Sequence, residues 1–270
     1  MFKRISRVLA VSDRTSPYAK VEMHFEELHQ LEHAQAMLSW DEAVMMPSGG
    51  GAERGEALAA LATIAHRSLT ADDVGELLNA AEASSDPLSQ WQQANLRAMR
   101  RMHTRAVAVP EDIVRASQVA AARCQQVWRV ARAENNWKAV AEPLAKVIAL
   151  AREEAAALGE ALALDPYDAL LDGYEEGTRA DDVVPLFDDL KGFLPGLVDR
   201  VLARQTSPLA LRGPFPQDGQ NRLGEEMMRR LGFDFAHGRL DISHHPFCGG
   251  VPDDTRITTR YSDADFLESF

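Results

Sequence analysis

Cysteine is nearly missing from this chain: Cys124 and Cys248 are its only two. They allow at most one disulfide, far from the framework that staples a small secreted domain. Long apolar runs are missing as well. No stretch approaches the roughly 18 residues of a membrane-spanning helix, and Val8 to Val11, behind Lys3, Arg4 and Arg7, is too short for a signal-peptide core. Positive charge is in deficit, with 29 Lys and Arg against 41 Asp and Glu and a net charge of −12. A phosphate-binding surface needs clustered cations, and no cluster is present. No repeat of fixed period runs through the sequence, which sets aside a repeat architecture. These absences point to a soluble protein of a reducing cytoplasm, with no nucleic acid and no membrane as partner.

What is present is a 270-residue chain of 46% hydrophobic content, enough to bury a large core. Its apolar residues recur at helical spacing. Ser16-Pro17 is a cap followed by proline at the first helical position, and Tyr18, Val21, Phe25, Leu28, Leu31 and Leu38 continue one face as far as Trp40. Pro47 with Gly49-Gly50-Gly51 breaks that helix; without a following Lys-Ser or Lys-Thr the glycines read as a connector. Thr70 to Asp73 predicts the start of a third helix and Asp86-Pro87 of a fourth, with Leu88, Trp91, Met99 and Met102 on its inner side. Pro110, Asn136 and Thr178 to Asp181 open further helices; Pro143 and Pro195 should kink theirs. Short connections favour antiparallel neighbours.

The period changes from 3.6 to 2 only near the end. Leu240 and Ile242 alternate with Asp241 and Ser243, while Ile257, Thr259 and Tyr261 alternate with Arg256, Thr258 and Arg260. Gly249-Gly250 and Val251-Pro252 supply a turn. The expected fold is mainly α: a multi-helix body of kinked antiparallel helices over 17–235, a small antiparallel β-hairpin over 236–261, and the start of a helix over 263–270. Residues 1–16 are expected to be a disordered tail. On the hairpin, Asp254, Arg256 and Arg260 share one face, where they either bind a carboxylate or pair with helix carboxylates. His245, held extended by Pro246, either offers a donor to a ligand or is a satisfied structural histidine.

Three other patterns invite chemistry. His29-Gln30-Leu31-Glu32-His33 matches the inverted zincin pattern HxxEH, with Glu111 as a possible third ligand; Leu28 and Leu31 make the region a core neighbour instead. Cys248 near His245 lacks an orienting third group and reads as an inert thiol. Glu175-Glu176, adjacent and not facing one another, reads as a solvated turn.

The words Leu231-Gly232-Phe233-Asp234-Phe235, Gly238-Arg239-Leu240-Asp241, His245-Pro246-Phe247 and Asp254-Thr255-Arg256-Ile257-Thr258 closely resemble the carboxypeptidase Taq family of zinc metallocarboxypeptidases. HPF and DxRxT are that family's signatures, and Trp40-Asp41 to Met45-Met46-Pro47 and Tyr167 to Asp172 extend the resemblance. It implies a helical, saddle-like protein with a long groove, often a homodimer, that removes single residues from peptide C-termini. Zinc is held there by an HExxH helix after DxRxT and a downstream glutamate. None of the eight histidines here stands in an HExxH. The chain is therefore expected to be inactive by itself, with no zinc of its own, and to keep His245, Asp254, Arg256 and Arg260 as groove-wall residues. The other reading is a non-catalytic peptide-binding or dimerisation module.

Overall fold

The computed structural model describes residues 15–206 and 211–266. Two compact units are formed, Met1–Ala151 with Phe215–Phe270, and Arg152–Pro214. The first unit opens with α1 (Pro17–Val44), whose N-terminus is closed as the sequence predicts: the Ser16 hydroxyl accepts the Ala19 amide, and Pro17 occupies the first helical position. Then come α2 (Gly51–Leu69), α3 (Asp72–Ala83), α4 (Gln90–Ala108), α5 (Glu111–Ala133) and α6 (Trp137–Leu162).

Sequence signals mark these helices better than they mark their ends. Asn136 does cap α6, its side chain accepting the Ala139 amide. Thr70, by contrast, closes α2 instead of opening α3, with its hydroxyl donating to the His66 carbonyl. Asp86-Pro87 does not open α4: the helix waits for Ser89 and Gln92, which exchange side-chain and backbone bonds in a capping box. On that helix Leu96 and Met99 are buried, whereas Trp91 is 82% exposed.

The core of this unit joins α1, α3 and α4 through Tyr18, Val21, Val74, Leu78, Leu96 and Met99. Tyr18 adds a polar tie: its hydroxyl donates to Glu22 and accepts from Asn95 on α4. α2 lies against both α1 and α5, and small residues let it approach. A Cβ at Gly51 would meet the Gln126 side chain at 2.7 Å, and one at Gly55 would meet the Ala122 Cβ at 3.0 Å. His24 and His103 donate ring N–H groups to the Ser68 and Leu69 carbonyls at the C-terminal end of α2, at 2.9 and 2.8 Å. Both are structural.

The second unit holds the end of α6, then α7 (Pro166–Tyr174) and α8 (Ala180–Arg204). Asp165 caps α7, Asp168 accepts the Ala180 amide, and Asp172 accepts the Gly177 amide. Pro143 lies inside α6, and Pro185 and Pro195 lie inside α8, without ending either helix. Glu175 and Glu176 are exposed in the turn between α7 and α8.

After α9 (Gln217–Arg230), back in the first unit, the chain forms β1 (Gly238–Ile242), β2 (Cys248–Val251) and β3 (Asp254–Thr259) in the order β1-β3-β2. This corrects the expected pairing. β3 does form an antiparallel hairpin, but with β2, and β1 joins its other side in parallel. Alternation cannot distinguish these arrangements, because it reports which side chains share a face and not the direction of the neighbour. Gly249 and Gly250 lie in β2, not in the turn. Gly250 has φ +83°, and a Cβ there would collide with the Asp254 carbonyl oxygen, so only glycine fits. The helix expected over 263–270 is not begun in its described part: none of residues 263–266 is helical, although Ser262 accepts the Ala264 and Asp265 amides as a cap would. The remainder of that helix, and most of the 1–16 tail, lie outside the described residues.

Candidate functional site

The sheet turns one face to the end of α1, and Trp40 is the residue it meets. Trp40 is 8% exposed. Arg54 from α2 fixes its neighbourhood by donating to the Leu38 carbonyl at 2.7 Å and to Asp41. Gln126 and Arg129 of α5 bind the Glu42 carboxylate and carbonyl. The end of α1 is thus held from two helices before the sheet reaches it.

On the sheet, Asp254, Arg256 and Thr258 share a face at period 2, and the parallel register places Arg239 beside Arg256 and Asp241 beside Thr258. The Arg256 guanidinium lies 4.5 Å from the Trp40 ring centroid and that of Arg239 4.9 Å. Both are within cation–π range of a single indole. Each guanidinium is also gripped by a carboxylate two residues along its own strand: Arg256 donates to both oxygens of Asp254 at 2.7 and 2.9 Å, and Arg239 to both of Asp241 at 2.6 Å. The Arg256 bonds hold the Asp254 carboxyl below its ordinary range, against the opposing effect of burial. The carboxylate of Asp241 likewise raises Arg239. Four charges cancel over one ring.

Asp254 has a second partner, His33 of α1, whose Nε2 lies 3.5 Å away. Glu111, the third ligand considered with the HxxEH pattern, is gripped by both arms of Arg67 at 2.6 Å. Among the described residues no three His, Cys, Asp or Glu side chains converge on a point that would hold a metal ion.

The HPF loop, between β1 and β2, is shaped by Thr258, the last residue of DxRxT. Thr258 is 3% exposed and Ser243 6%. Their hydroxyls share a hydrogen bond of 2.8 Å, the Ser243 hydroxyl donates to the His245 carbonyl, and the Phe247 amide donates to the Thr258 hydroxyl at 3.0 Å. Backbone bonds from Thr258 to the Phe247 carbonyl and from Ser243 to the Thr259 carbonyl complete the lock. HPF and DxRxT are thus one structural object: the threonine of the second motif fixes the backbone of the first.

Of the residues singled out from sequence, Asp254 and Arg256 come together and pair with each other, not with a helix carboxylate. His245 is exposed on its loop. Arg260 lies past the end of β3, half-buried and not free of partners. Cys248 is an exposed free thiol. Trp40, Arg239, Asp241 and Thr258 were not among the predicted site residues. A signal for two of them exists, since Arg239-Leu240-Asp241 is the reverse of Asp254-Thr255-Arg256.

The model of the carboxypeptidase Taq (M32) metallopeptidases matches residues 20–270. This chain belongs to that family. Thermostable carboxypeptidase 1 of Thermus thermophilus is 38% identical over 242 residues, which are 84% of this chain and 47% of that protein. The protein of the same name from Pyrococcus furiosus is 31% identical over 249 residues, covering 90% of this chain and 49% of its own length. Among solved structures, Trypanosoma cruzi metallocarboxypeptidase 1 is 36% identical, with a TM-score of 0.80 over 94% of this chain and 51% of that one. The M32 carboxypeptidase of Deinococcus radiodurans R1 is 30% identical, with a TM-score of 0.77 at the same coverage. The M32 chain described here thus spans about half the length of the curated relatives it matches. No described helix is long and apolar enough to cross a membrane.

Proposed function

We propose that these 270 residues serve a metal-dependent carboxypeptidase, acting on peptide C-termini, as one wall of its substrate groove, and that they do not hydrolyse peptides unaided. The observation that supports this most directly is the lock between HPF and DxRxT, in which a buried threonine holds an exposed histidine loop in one shape. The Asp254–Arg256–Trp40 stack pins the strand beneath that loop. Such rigidity suits a wall that positions an extended peptide. Chemistry needs a polarised water or an activated nucleophile; with no HExxH in the sequence and Arg256 already neutralised by Asp254, the described residues supply neither.

The test is release of the C-terminal amino acid from a blocked peptide by the purified chain, with zinc or cobalt added. No release above background is expected, and no tight stoichiometric zinc by metal analysis. Turnover that depends on added metal would overturn the reading.

A further inference from the structure

Helix α8 buries none of its residues, and nine of its large apolar side chains are 37% to 65% exposed. Six apolar positions, Val183, Phe187, Leu190, Leu194, Leu197 and Val201, follow one another in alternating steps of four and three. That spacing keeps a seam pointed at one neighbouring helix along its length. Only Val183 and Leu197 of the six are even half-buried. The helix has 25 residues and so spans about 37 Å. α7, which lies against it, has 9 and spans about 13 Å, too short to cover the seam. Charge is unevenly spread along α8: Asp181, Asp182, Asp188 and Asp189 stand in its first half with a single cation, Lys191, while Asp199, Arg200 and Arg204 stand near its end. A bare apolar face of this extent marks an interaction site.

Solved relatives that superpose on 94% of this chain are matched over only 51% of their own. In them this half of the fold is joined to as much polypeptide again. We propose that the α8 seam is the docking face for a helix from that other half of the M32 fold, with basic residues beside the acidic start of α8 and acidic residues beside Arg200 and Arg204. This rests on the family reading above. A covalently continuous neighbour is favoured over a second copy because it arrives at high effective concentration and needs no association step.

The experiment compares the 270-residue chain with a version continued into the Thermus thermophilus carboxypeptidase sequence beyond its match. In a Cys124→Ala, Cys248→Ala background, Leu190→Cys and Leu194→Cys report the seam, and Gly192→Cys, where a Cβ meets open space, reports the opposite face. In the 270-residue chain all three thiols should be labelled at similar rates. In the extended chain the seam thiols should slow by about tenfold or more, with Gly192→Cys unchanged. Leu194→Gln should leave the urea midpoint of the shorter chain unmoved and lower that of the longer one. Seam thiols as reactive as the control in a cooperatively folded extended chain would overturn the proposal. So would seam protection in the 270-residue chain that grows with its concentration, because a second copy would then be the occupant. Should the fused chain fail to fold, the two parts mixed as separate chains give the same readout, and no protection there also counts against it. Protection without carboxypeptidase activity refutes the functional reading and keeps the docking one; activity with reactive seam thiols does the reverse.

Discussion

Replacing Thr258 by valine tests whether the two family signatures are one structural object. Valine keeps the shape of the side chain and removes its oxygen. The Phe247 amide then loses its acceptor at 3.0 Å and the Ser243 hydroxyl loses its 2.8 Å partner, although Ser243 can still donate to the His245 carbonyl. At 3% exposure the site admits no ready substitute from bulk water. An orphaned buried amide costs about 1–3 kcal/mol and a lost hydroxyl bond about 1 kcal/mol, so a destabilisation of about 2–4 kcal/mol is expected. Thr258→Ser keeps the oxygen and loses one methyl, worth about 1 kcal/mol. Urea unfolding of the three proteins measures the order, and hydrogen exchange at the Phe247 amide localises it, with protection falling in the valine variant and retained in the serine variant. A serine variant less stable than the valine variant would show that packing of the methyl, not the hydroxyl, holds the loop. An unchanged Phe247 exchange rate in Thr258→Val would refute the lock directly.

Further outcomes follow from the same sheet. Trp40→Ala should cost about 3–5 kcal/mol in chemical denaturation, as for other buried aromatics. Trp40→Phe should cost far less, since the indole Nε1 is buried without a hydrogen-bond partner and phenylalanine keeps a ring for the two guanidiniums. A tryptophan-to-phenylalanine cost equal to that of alanine would argue against the ring stack. The Asp254 carboxyl is held below its ordinary range, so its contribution is complete above the unfolded pKa of about 4 and is lost as pH falls through the lower folded value. Asp254→Asn should flatten the acid limb of stability against pH, and an unaltered limb would contradict the pairing. Gly250→Ala, at φ +83° and facing the Asp254 carbonyl, should cost more than the roughly 1 kcal/mol of an unhindered left-handed residue; thermal melts equal to wild type would remove the steric case.

Much of this protein was legible in order along the chain because its signals are local. A cap such as Ser16-Pro17, a helical stripe such as Tyr18 to Leu38, and the change to period 2 after Gly238 depend on neighbours a few residues apart. The words HPF and DxRxT were recognisable as strings for the same reason. Helix starts were less secure where two caps compete within a few residues, as Asp86 and Ser89 do, because the winner is the one that satisfies more backbone donors.

What residue order determined was therefore helix content, the place of the strands, the family and the absence of HExxH. Tertiary structure alone decided that β1 runs parallel to β3, that Arg239 and Arg256 meet over Trp40, and that His33 comes to face Asp254. It also decided that Thr258 holds the HPF loop and that the α8 stripe is bare. Each of these pairs residues far apart in sequence, and periodicity shows only which way a side chain points, never what the rest of the chain brings to meet it.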